Sequence, residues 1–118
     1  MAVRLFLAAQ AAVFDVAAMI HAGVLMNGYE HSRARNAEGV IAAVLFLGLF
    51  LTAIVPRQLR PIALGAQGFA LLGTLVGLFT IAIGVGPRSV LDLMLHATMV
   101  TLLTAGLVVT RRTTANGR

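Results

Sequence analysis

The sequence predicts an all-α integral membrane protein, a single domain over residues 1–118 folded as an up-down-up-down four-helix bundle. Three observations carry this. The chain is 59% hydrophobic and only 11% charged, whereas a soluble domain of this size needs roughly 25% charged residues to cover its surface. Four apolar runs stand out, each near the roughly 20 residues that cross a bilayer core. The connectors between them are short and rich in helix breakers, which forces neighbouring helices to be antiparallel.

The first run, residues 5–28, opens with one arginine and an apolar stretch containing small residues. It continues past Asp15 to Met26, too long for the core of a cleaved signal peptide. An uncleaved first helix is expected. The second run covers 37–55, with Asn36 as its expected cap and Glu38 in its first turn, where the positive helix end favours an acid. Pro56 to Pro61 makes a proline-bracketed turn, and Pro61 suits the opening of the third helix, 62–85. Gly84 to Ser89 leads into the fourth helix, 90–110. Gly73, Gly77, Thr80 and Gly84 share one face of the third helix, a small-residue pattern expected to serve close packing inside the bundle rather than a homodimer seam.

All nine basic residues are arginine, and they flank the apolar runs instead of forming one cluster. That placement argues against a nucleic-acid partner and for bilayer flanks. Arg4, Arg57, Arg60, Arg111, Arg112 and Arg118 fall on one side, and Arg33, Arg35 and Arg88 on the other. The positive-inside rule then puts both termini in the cytoplasm, with the chain in an inner (plasma) membrane. The absence of cysteine excludes disulfide frameworks, thiolate metal sites and the quinone-linked thiol oxidoreductases. No Ser-His-Asp arrangement, HExxH or phosphate-binding glycine loop is present, so nothing supports hydrolytic chemistry.

On this topology the polar residues are unevenly placed. Asp15 lies near the middle of the first helix and His21 in its outer half. Glu30 and His31 lie in the outer loop, and Asp92 and His96 in the outer half of the fourth helix. Met19, Met26, Met94 and Met99 fall in the same half. Ionisable groups at membrane depth cost several kcal/mol by insertion scales and point to a site facing the bundle interior. Asp92, His96, Met99 and Leu103 share a stripe. Asp15, Met19, Ala22 and Met26 share another, with His21 about 100° away from it. Either both flank one cavity or only one of them faces inward.

Three chemistries fit this constellation. The first, and the one the sequence favours over the other two, is haem b held by His21 and His96, two imidazoles at matched depth, with propionates reaching Arg33, Arg35 or Arg88. Such a chain resembles, in layout, the four-helix membrane cytochromes b, which implies electron transfer, with quinone or another membrane redox partner. The second is proton-coupled transport centred on Asp15, with Asp92, Glu30 and His31 as further proton or substrate groups. Here the short loops, the mid-helix acid Asp15, and the stretch from Gly86 to Leu93 leading into Ala105 to Val109 are similar to the small multidrug resistance transporters. That family uses glutamate at the acid and a tryptophan in its third helix, and this chain has neither feature. The third is a copper site built from His21, His96, Met19 and Met99, since imidazole and thioether suit Cu(I). The remaining expectation is an accessory subunit of a larger membrane complex, without a cofactor and with the polar cluster serving assembly only; a homodimer is the other association expected.

Each group also has a plainer role. Asp92 is shallow enough to be a solvated helix-start acid, Glu30 and His31 read as a solvated loop, and the methionines as core filler. Asp15, if not functional, is expected to pair with Gln10, Gln67, Thr74 or a histidine.

Overall fold

The computed structural model describes residues 1–114. It contains four helices and no strand among the described residues: α1 (Ala2–His21), α2 (Ser32–Ile54), α3 (Leu59–Ala82) and α4 (Val90–Arg112), with a 3₁₀ turn at Pro56–Gln58 before α3. All four are long and apolar enough to cross a membrane. Arg118, counted above for topology, lies outside the described residues.

Helices adjacent in sequence pack side by side and α4 closes against α1, which makes an up-down-up-down bundle with only slight diagonal contact between α1 and α3. The core is a seam of Leu7, Ala11, Phe14, Ala17, Ile41, Leu45, Ala63, Ala70, Met99 and Leu103. Outward, Phe46, Phe50, Phe69, Leu72 and Phe79 are exposed, an apolar belt that suits hydrocarbon rather than water.

Helix ends differ from expectation for local reasons. The first helix stops at His21, not near residue 28, because Gly23 adopts φ 77° and Val24 N–H bonds back to Met19 O at 3.0 Å. That six-to-one closure around a left-handed glycine is a Schellman end, and any other residue there would be strained. The second helix starts at Ser32, before the expected Asn36 cap, because the His31 side chain accepts a hydrogen bond from Ala34 N–H. Asn36 is therefore inside the helix. The loop is pinned to α1 by His31 N–H donating to His21 O at 2.9 Å. Gly84 (φ 85°) ends α3 in the same way as Gly23 ends α1. Ser89 begins α4 with a full capping box, its side chain receiving Asp92 N–H while the Asp92 carboxylate receives Ser89 N–H.

At the end of the bundle that holds Met1 and the last turn of α4, arginines secure helix ends. Arg4 donates to the Thr52 carbonyl near the end of α2, and Arg60 to the Arg111 carbonyl at the end of α4. Both place positive charge at the negative end of a helix dipole. One helical span inward, Gln10 donates to Gln67 at 2.9 Å and to the Leu102 carbonyl at 3.0 Å, and Gln67 donates to Thr110 at 2.8 Å. These amides join α1, α3 and α4 and fill the space that Gly106 leaves without a side chain.

Candidate functional site

The opposite, loop-bearing end gathers the ionisable groups. The seam on α4 repeats at Asp92, His96, Met99, Leu103, Gly106 and Thr110, all buried. On α1 the inward stripe runs Val3, Leu7, Gln10, Phe14, Ala17 and His21. On α2 it runs Glu38, Ile41, Leu45, Gly48 and Thr52. Each stripe advances by three or four residues, so its loop-end member points to the same interior. Those members are His21, Glu38 and Asp92.

They meet. His21 lies between the two acids, with Nδ1 2.6 Å from Glu38 Oε2 and Nε2 2.7 Å from Asp92 Oδ1. Exposure is 1% for His21, 6% for Glu38 and 3% for Asp92. The other Asp92 oxygen accepts from the Ser89 backbone and hydroxyl, so this carboxylate both caps α4 and holds His21. An ionised carboxylate only accepts hydrogen bonds, so each contact requires a hydrogen between nitrogen and oxygen. The three side chains therefore hold two protons. Both sit on the imidazole between two carboxylates, or one on the imidazole and one on a carboxyl group. Either way the set carries one net negative charge, buried among apolar helices.

His96, 7% exposed, joins the same group through the backbone. Its Nδ1 lies 2.8 Å from the Asp92 carbonyl. A carbonyl cannot donate, so Nδ1 carries the hydrogen and, in the neutral ring, Nε2 is a bare acceptor. That nitrogen has no hydrogen-bond partner among the described residues and rests against Gly77, where a side chain would crowd it.

Beside this group is a cavity of about 220 Å³ between α2, α3 and α4. Small residues make the room: Ala34 and Ala37 on α2 face Gly73 and Gly77 on α3. Its deeper wall includes Glu38, Thr74, His96 and Met99, and Arg33 and His31 stand near its mouth. The glycines of α3 thus act within the chain, Gly73 giving way to Ile41 and Gly77 to His96.

The remaining expected site residues lie elsewhere. Asp15 is exposed on the outer face of α1, and only the His21 stripe faces inward. Its expected partners are taken: Gln10 and Gln67 bind each other, and Thr74 donates to its own helix. Asp92 is buried rather than solvated. Glu30 accepts from Gly28 N–H in the loop, and His31 caps α2 with its ring edge-on to His21 at 6.5 Å. Arg35 bonds its neighbour Asn36, and Arg88 folds over Gly84 onto the Ile81 carbonyl. Only Arg33 of the three arginines lines the cavity. Met99 is buried beside the cavity, whereas Met19 is half-buried and Met26 and Met94 are exposed.

This geometry does not fit a haem held by two histidines, because both His21 nitrogens already face carboxylates. Axial ligation needs one nitrogen released. Nor, among the described residues, do three or more His, Asp or Glu side chains gather as a metal-binding set. Glu38 was readable as a site residue from its place on the Ile41–Leu45–Gly48 stripe, and Asp92 from the Ser-x-x-Asp capping pattern at Ser89.

Comparison with family models, with curated proteins and with solved structures finds no match to this chain.

Proposed function

We propose that the chain is an integral membrane protein that binds and releases protons in step with a ligand in the α2–α3 cavity, as a small proton-coupled carrier. One observation carries this: His21 is held between Glu38 and Asp92, while the other Glu38 oxygen and Nε2 of His96 have no hydrogen-bond partner among the described residues, and both residues line the cavity. A third proton entering this set has a place to go, on the unpaired Glu38 oxygen. An occupant that hydrogen-bonds there competes with that proton, which is the linkage that coupled transport needs. The carrier expectation is thereby moved from Asp15 to Glu38. Infrared difference spectroscopy on the purified protein tests it. A carboxylic-acid carbonyl band should appear as pH is lowered and vanish in Glu38→Gln. A spectrum in which no buried carboxyl responds to pH would reject the proposal.

A second reading rests on Asp15. A carboxyl group facing outward at membrane depth is costly unless a neighbour's polar group meets it. This favours a role as one subunit of a homodimer or larger membrane complex, with the outer face of α1 as the contact. Crosslinking in native membranes from a cysteine placed at Ala12, which is exposed on that face, tests it. Failure of any defined adduct to form would remove this reading.

A further inference from the structure

The cavity is chemically one-sided. Thr74 donates its hydroxyl hydrogen to the Ala70 carbonyl, and Thr80 donates to the Gly77 carbonyl. Both threonine oxygens are left as acceptors. His96 spends its hydrogen on the Asp92 carbonyl, leaving Nε2 as an acceptor, and Glu38 has one unpaired oxygen. Among the described residues, the polar side chains of the deeper wall, Glu38, Thr74 and neutral His96, therefore accept and none has a hydrogen to spare. The mouth, where Thr80 is one more acceptor, adds the donors. Arg33 only donates, and His31, which receives Ala34 N–H at Nδ1, carries its hydrogen on Nε2. Arg33 and Glu38 are five residues apart on α2, about 7.5 Å along the axis at 1.5 Å per residue. Ala34 and Ala37 on α2 and Gly77 on α3 line the stretch between the two polar ends, and Phe14, Ile41 and Met99 floor the cavity beneath Glu38 and His96.

We propose that this cavity binds a lipid-soluble phenol, its one hydroxyl hydrogen shared between Nε2 of His96 and the unpaired Glu38 oxygen at the deep end, and a carbonyl or hydroxyl oxygen on the far side of the ring accepting from Arg33 or His31. The phenolic hydroxyl belongs equally to a free para-substituted phenol and to the reduced form of a quinone. An oxidised quinone offers only acceptors and meets acceptors at the deep end. This inference names the ligand of the proton-coupled site and so rests on that reading.

The test compares propyl para-hydroxybenzoate with propyl para-methoxybenzoate, its methyl ether of nearly the same shape, binding to detergent-purified protein. Loss of a hydrogen bond to a buried acceptor predicts at least about tenfold weaker binding of the ether. Ala37→Phe, which fills the exposed rim of the cavity without entering the core, should abolish binding of the phenol, and His96→Leu, which leaves only the Glu38 oxygen to accept, should narrow the difference between the two compounds. Reduced duroquinone should also bind more tightly than its oxidised form. Equal binding of phenol and ether, preference for benzylammonium over both, or full binding to Ala37→Phe overturns the proposal. If the pH-dependent carboxyl band of Glu38 is present while the phenol preference is absent, the ligand class fails and the proton reading stands. If the band is absent, the proton reading itself has failed.

Discussion

His21 and Asp92 meet at 2.7 Å across 71 residues of sequence, and the carboxylate that holds the imidazole is also the one that caps α4. The start of α4 and the last residue of α1 are thus tied together by one side chain. Asp92→Asn removes a charge from both jobs and leaves His21 against a poorer acceptor. Breaking one member of a buried charged network costs about 3–5 kcal/mol in soluble proteins. Ser89→Ala removes the cap, worth about 1 kcal/mol, and the hydroxyl's hydrogen bond to the Asp92 carboxylate, but leaves the contact with His21 in place. Thermal unfolding in one detergent should rank wild type above Ser89→Ala and Ser89→Ala above Asp92→Asn. The reverse order would show that the His21 contact contributes nothing.

Glu38 and Asp92 hold the same ring from opposite sides, so their effects should not add. Glu38→Gln and Asp92→Asn are each expected to destabilise, and the double variant should fall short of the sum by about 1 kcal/mol or more, as residues sharing one network do. Additive losses would mean that the two carboxylates act independently.

Haem added to the purified protein should give no spectrum of a haem with two histidine ligands, since His21 has no free nitrogen. A stable band of that kind, lost in His21→Ala and in His96→Ala, would show that the carboxylates release His21 in the native protein.

Two glycines on different faces should respond oppositely to alanine. A methyl group at Gly106 would fall within the amides of Gln10 and Gln67, which cannot retreat without breaking the bonds joining α1, α3 and α4. At Gly65 it meets open space. Gly106→Ala should lower the unfolding temperature sharply. Gly65→Ala should leave it unchanged or raise it, since alanine is favoured over glycine in a helix by up to about 1 kcal/mol.

The four helices were legible in the sequence because bilayer thickness fixes the length of an apolar run, and Gly, Pro and Asn mark where each run ends. The α4 stripe was legible too, since Asp92, His96, Met99 and Leu103 stand out at helical spacing. The facing side of α1 was not. Its residues are apolar nearly all round, so periodicity alone could not choose between the Asp15 and His21 stripes. Packing chose, through Leu7, Phe14 and Ala17, which carry no polar signal. Glu38 was misplaced by a boundary. Starting α2 at residue 37 put it in the first turn as an acid at the positive helix end. The His31 cap starts the helix at Ser32 and carries Glu38 a further turn inward. A histidine acting as an N-cap is uncommon, and composition gives no warning of it.

Solid-state NMR of ring-labelled histidine in lipid bilayers tests the gripped imidazole most directly. For His21 the prediction is that both ring nitrogens are strongly hydrogen-bonded, with Glu38→Gln shifting Nδ1 and Asp92→Asn shifting Nε2. One ordinary neutral ring, with a nitrogen free and neither resonance moved by either substitution, would contradict the account.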